Sequence, residues 1–138
     1  MQSVDSHNQS LQILTEDECR DLLAQHHFGR LAFVSDGGPV VLPVNYVFDG
    51  RSLVIRSAPG AKLTDAPMTA AAFEIDDAGP DGRWGWSVLA RGVAFDITDS
   101  LDDHSEALRA LPVEPWAPGE KPNWLMLTVT TVSGRQFG

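Results

Sequence analysis

The chain has 138 residues, with ten Lys or Arg against nineteen Asp or Glu and a formal net charge of −9. That surplus of acid excludes non-specific binding to nucleic acid or to an acidic membrane, since both need clustered cations. The length supports one domain with a real core, no apolar run approaches the roughly 20 residues of a membrane span, and a single cysteine, Cys19, leaves no internal disulfide framework and fits a reducing cytoplasm.

The first ten residues, MQSVDSHNQS, are polar and lack a basic-then-apolar pattern, so they read as a frayed tail rather than a signal peptide. Residues 15–27, TEDECRDLLAQHH, predict a helix. Thr15 and Glu18 have capping-box spacing, acids fill the first turn, and His26 and His27 fall in the last, where cations suit the dipole. Cys19, Leu22 and Leu23 share one narrow apolar face. Gly29 is the expected stop.

The period then becomes that of strands. Residues 30–35 are a first strand, 36–38 a turn and 40–48 a second strand; Asp49-Gly50 makes a hairpin into a third at 53–56. These three are expected to form an antiparallel meander. Pro43 puts the second strand at an edge or in a bulge, a feature common beside binding sites. After Lys62 a short helical piece is expected, then a strand at 69–75, an acidic Gly/Pro loop at 76–82 and a long strand at 84–97 bent at Gly92. A helix at 101–111 carries Asp102, Asp103 and Glu106 near its start. Residues 112–123 are Pro-rich and irregular, and 124–132 alternate as a last strand before GRQFG. Six or more strands with few helices predict a mainly β domain, a small antiparallel barrel with helices over its open ends.

From Arg51 to Lys62 there are three cations and no carboxylate. A strand delivers Arg56 and Ser57, Pro59-Gly60 turns the chain, and Lys62 stands at the start of the following helix. Guanidinium, hydroxyl, ammonium and the free amides of a helix start would converge on one small volume, which suits a terminal phosphate. The plainer alternative pairs these cations with nearby acids such as Asp65.

The segment FGRLAFVSDGGPVVLPVNYVFDGRSLVIRSAPGAKL, followed by GWSVLARGVA, resembles the pyridoxamine 5′-phosphate oxidase-like family of flavin-binding split β-barrels, in particular its short actinobacterial-type members. The resemblance spans roughly residues 15–135. It implies FMN held at a homodimer interface. Pro43, Val44, Asn45 and Tyr46 would lie along the isoalloxazine ring, and Arg56, Ser57 and Lys62 would hold the phosphate. The GWSV segment, with Trp86, Ser87 and Val88, would flank the ring or ribityl chain, often from the partner subunit. Trp124 and Arg135 would complete the pocket. Redox chemistry would then belong to the cofactor, with position and access supplied by the protein. The enzyme that names the family is longer and ends in a tail rich in Trp, Arg and His. Residues 112–123 and GRQFG offer no match to that tail, so the named reaction is not expected. The flavin site can be inherited without the substrate site.

Three functions remain: an FMN-dependent oxidoreductase acting on a small molecule; a reductase using the deazaflavin coenzyme F420, whose acidic tail wants a more basic groove than this chain offers; and a flavin- or haem-binding module without catalysis. The other candidates have plainer readings. Trp84 and Trp86 share a strand face and suit a core or interface, and Trp116 suits a barrel plug. His26 and His27 read as helix-end cations, His7 and His104 lack metal-ligand spacing, Cys19 is a small buried hydrophobe, and Asp76, Asp77 and Asp81 are solvated turn acids.

Overall fold

A computed structural model describes residues 11–35, 37–57, 69–115 and 123–138. In chain order the elements are β1 (Gln12–Ile13), α1 (Glu16–Gln25), β2 (Phe28–Ser35), β3 (Gly38–Asn45), β4 (Val47–Phe48), β5 (Ser52–Ser57), β6 (Thr69–Ala78), β7 (Gly85–Asp96), α2 (Asp103–Arg109) and β8 (Asn123–Phe137). The expected helical piece after Lys62 and the expected plug Trp116 lie outside the described residues.

The strands make one antiparallel sheet in the order β3-β2-β6-β7-β8-β5-β4, with β1 added on β8. β3 and β4 stand at opposite ends of that path, yet only Tyr46 separates them in the chain. The sheet must therefore curl until its two ends meet. No ladder joins β3 to β4 or β5, so the barrel stays split along that seam. This is the split-barrel architecture that the alternating pattern and the resemblance imply.

The sequence signals explain most of the elements. Thr15 Oγ1 accepts from the Glu18 amide at 3.1 Å, and Glu18 Oε1 accepts from the Thr15 amide at 2.8 Å, which completes the capping box. Gly50, at φ 101°, turns the β4–β5 hairpin, and Asp49 braces it by accepting from the amides of Arg51 and Ser52 at 2.8 and 2.7 Å. Pro43 lies on β3, an edge strand whose register with β2 runs without a shift, so the edge rather than the bulge accommodates it. The bend at Gly92 is a register shift against β8. A Cβ there would stand against the Thr128 carbonyl oxygen.

Elsewhere the structure corrects the expectation. α1 ends at Gln25 and His26 is an extended C-cap, so neither histidine lies in the last turn. Gly29 is not a stop but part of β2, where the Glu74 carbonyl and the Phe73 ring pack too close for a Cβ. The expected second strand breaks at Tyr46, its first part pairing β2 and its second β5, so there is no three-stranded meander. Asp76 and Asp77 extend β6 instead of forming a loop. Trp84 precedes β7 and is exposed, off the strand face expected to hold Trp86 as well. β8 continues to Phe137, because β1 and β7 supply partners for a tail whose polar composition hides its strand character.

Two cores follow. Inside the barrel, Leu31, Phe33, Leu53, Ile55, Phe73, Ile75, Val88 and Leu127 meet Cys19 and Leu23 from α1. On the outside, α2 and the segment after it cover part of the sheet, with Leu108 and Val113 packed on Val54 and Ile97. The outer face of β2, β3, β6 and central β7 has no such cover among the described residues. Val34 and Val41 there are 71% and 61% exposed. A shallow cleft of ≈ 460 Å³ runs across it, lined by Ala32, Val34, Pro39, Val41, Ala72 and Val93 among others. No helix among the described residues is long and apolar enough to cross a membrane.

Candidate functional site

The proposed phosphate ligands begin where β5 ends. Arg56 is the register partner of Trp124, and Ser57 of Asn123. The Arg56 guanidinium carbon stands 5.2 Å from the Trp124 ring centroid, a cation–π contact, and its Nη1 donates a long bond of 3.5 Å to the Val113 carbonyl. The strand pair and the α2 side of the molecule thus hold the guanidinium in one place. Lys62 lies outside the described residues.

Pro43, Val44 and Asn45 close β3 on the other side of the split. β3 and β5 approach each other across the split, with Asn45 and Arg56 near the facing ends of the two strands. Among the described residues β3 pairs with β2 alone, so its far edge carries backbone groups outside any ladder. A flat polar-edged ring beside that strand, with its anionic end toward Arg56, suits this donor set: amides for the ring edge, guanidinium for the phosphate.

Tyr46 is turned the other way. Its side chain is 1% exposed, meets Phe73 edge-on at 4.7 Å and donates from its hydroxyl to the Leu23 carbonyl at 2.7 Å. Val88 is likewise fully buried in the barrel core. Val44 also points inward and is 9% exposed. For these three the side chain serves packing, and what they can offer a ligand is backbone.

A second group forms at the far end of β7 and β8. Ser87 is the register partner of Arg135, and Trp86 of Gln136. Trp86, Ser87 and Arg135 line a cleft of ≈ 410 Å³ with Asp76, Asp77 and Phe137. Behind it the rings of His26 and Trp86 lie 4.9 Å apart, tilted by 45°. At roughly 3.3 Å per residue of strand, Trp124 and Arg135 stand on the order of 35 Å apart along β8. The sequence-predicted residues are therefore brought together as two half-sites, one around Arg56 and Trp124 and one around Trp86 and Arg135.

The sequence reading missed a third feature, beside the second group. Arg30 on β2 and Glu74 on β6 are register partners, and Arg30 Nη1 lies 2.9 Å from Glu74 Oε1 and 3.4 Å from Asp76 Oδ1. Burial pushes the Glu74 carboxyl up to about 7; the neighbouring Asp76 adds to the shift and Arg30 opposes it. The period-2 spacing of Glu74 and Asp76 was the available signal, obscured by reading Asp76 as the start of a loop.

The chain is similar to several known proteins over most of its length. A curated relative of uncharacterized function from Mycobacterium tuberculosis is 38% identical over 93 residues, covering 62% of this chain; the match spans 60% of that relative's length. A candidate pyridoxamine 5′-phosphate oxidase from Corynebacterium glutamicum has a similar structure, with a TM-score of 0.77, 27% identity and 93% of each chain covered. An FAD-binding protein from Mycobacterium smegmatis superimposes with a TM-score of 0.71 at 31% identity, covering 91% of this chain and 96% of its own. The family profile described as pyridoxamine 5′-phosphate oxidase matches residues 15–136, and the chain belongs to that family.

Proposed function

We propose that the protein binds FMN between two copies of itself and works as an oxidoreductase on a small molecule. The carrying observation is Arg56, held against Trp124 at the end of β5, a strand that β3 approaches across the split. Arg56, with Ser57 and Lys62, would hold the phosphate, and Pro43 to Asn45 would lie along the ring. When bound, the flavin supplies the electron transfer; the chain's residues bind it, orient it and control what reaches it.

The second half-site supports the homodimer. Trp86, Ser87 and Arg135 stand farther along β8 from Trp124 than one FMN extends, so one chain cannot close both groups on a single cofactor. A second copy can bring its Trp86 group to the first copy's Arg56 group, twice over by symmetry. The uncovered outer face of β2, β3, β6 and β7 is the surface for that contact. It is largely apolar, and its outward charges, Arg30 and Arg91 against Glu74 and Asp76, balance, unlike the acid surplus of a −9 chain as a whole.

The test is the absorption spectrum of the purified protein followed by separate titrations with FMN and coenzyme F420. One FMN per chain is expected, with weak F420 binding because the cations outside residues 51–62 are scattered. Arg56→Ala with Lys62→Ala should weaken FMN binding by several kcal/mol, at about 1.5–3 kcal/mol per hydrogen bond to a charged group. Unchanged affinity in the folded double variant would refute the phosphate assignment. A second reading, FAD in place of FMN, is favoured by the FAD-binding relative at 31% identity. Chromatography of the released cofactor separates the two.

A further inference from the structure

β7 ends at Asp96, opposite Leu125, one residue short of the Trp124 that stacks on Arg56. The chain beyond Asp96 nevertheless grips Trp124. The Trp124 amide donates to Thr98 Oγ1 at 2.9 Å, and the Trp124 carbonyl accepts from the Ile97 amide at 2.8 Å. Thr98 Oγ1 in turn donates to Asp96 Oδ1 at 2.6 Å, and that carboxylate oxygen also accepts from the Thr98 amide at 2.9 Å. With its proton committed to the carboxylate, the hydroxyl faces Trp124 as an acceptor alone. A side-chain oxygen thus stands where a ladder carbonyl would. Arg109 of α2 donates to the Ile97 carbonyl and pins the turn from its other side.

This grip also sets the β5 side of Trp124. Both polar backbone groups of Trp124 point toward the β7 side, so its pairing with Arg56 is of the kind without hydrogen bonds. Side chains stand closest in such pairs. The Arg56 guanidinium carbon accordingly lies 5.2 Å from the indole centroid. We propose that Thr98 is a positioning residue for phosphate binding: held by Asp96, it fixes the Trp124 backbone, and the Trp124 ring sets the Arg56 guanidinium. The inference rests on the reading that Arg56 binds the flavin phosphate. Thr98 acts through Trp124 and not on the ligand.

The test titrates the full chain, freed of flavin, with FMN and with riboflavin, which differ by the phosphate alone. Thr98→Val keeps the shape and removes the hydroxyl. It should raise the FMN dissociation constant roughly tenfold and leave that of riboflavin within about twofold. Thr98→Ser keeps the hydroxyl and should bind FMN as the parent does. Asp96→Ala, which frees the hydroxyl to turn, is a second route and should show the same phosphate-selective loss. In an Arg56→Ala background Thr98→Val should cost no further FMN affinity, because the group it positions is gone. No loss, an equal loss for both flavins, or a full additional loss without Arg56 overturns the positioning role and leaves the phosphate site standing. A parent that binds FMN no more tightly than riboflavin overturns the phosphate reading and the positioning role with it.

Discussion

Replacing Tyr46 by Phe removes one hydroxyl and leaves the ring in place against Phe73. The hydroxyl donates to the Leu23 carbonyl at 2.7 Å. Because α1 ends at Gln25, that carbonyl belongs to the last turn and has no intrahelical partner. Leu23 and Tyr46 are 0% and 1% exposed, so no water replaces the lost bond. An unsatisfied buried carbonyl costs about 1–3 kcal/mol, and no cavity adds to it. For a chain of this size the melting temperature should fall by roughly 3–5 °C per kcal/mol. Urea denaturation of parent and Tyr46→Phe, with unchanged slopes, gives the difference directly. Burial holds the phenol well above the ordinary tyrosine range, so the loss should be the same at pH 6 and pH 9. FMN affinity should not change, because the hydroxyl faces α1. Equal stability would refute the capping role, and a loss of FMN affinity would make the hydroxyl a ligand after all.

Two further outcomes follow from the packing. Gly92→Ala sets a methyl group against the Thr128 carbonyl at the β7–β8 bulge, and should cost about 3 kcal/mol or more, read as a lower denaturation midpoint. Free normal stability would mean that the bulge can move. Cys19 is fully buried, with its thiol pushed up by burial first and then by Glu18 and Glu16, so a thiol reagent should label it only in denaturant. Rapid labelling of the native protein would show that α1 opens readily.

The barrel was legible wherever a signal is local. Thr15 with Glu18 marks the start of α1, Asp49-Gly50 marks a turn, Pro43 marks an edge and Gly92 a bend, and each acts through its own backbone or its nearest neighbours. What was not legible depends on distant partners. The break at Tyr46 exists because its ring is drawn into the core beneath α1, and an apolar alternation does not say which residue leaves the ladder. The extension of β8 through SGRQF depends on β1 and β7, more than thirty residues away in sequence. The site divides in the same way. The family motifs named Arg56, Trp124, Trp86 and Arg135, but only the register of β8 with β5 and β7 separates them into two half-sites. Spacing alone could pair Glu74 with Asp76, but only the β2–β6 register brings Arg30 to them.

β8 lies between β7 and β5 in its first half and between β7 and β1 in its second. Among the described residues, no other ladder links the β4–β5 hairpin to the rest of the sheet. Since β8 is the last strand in chain order, a growing polypeptide holds a four-stranded sheet and a detached hairpin, each with an open edge, until residues 123–137 emerge. Those edges invite pairing with another nascent chain. Synthesis therefore adds open edges to the one that β3 keeps in the finished sheet, and low growth temperature should raise soluble yield.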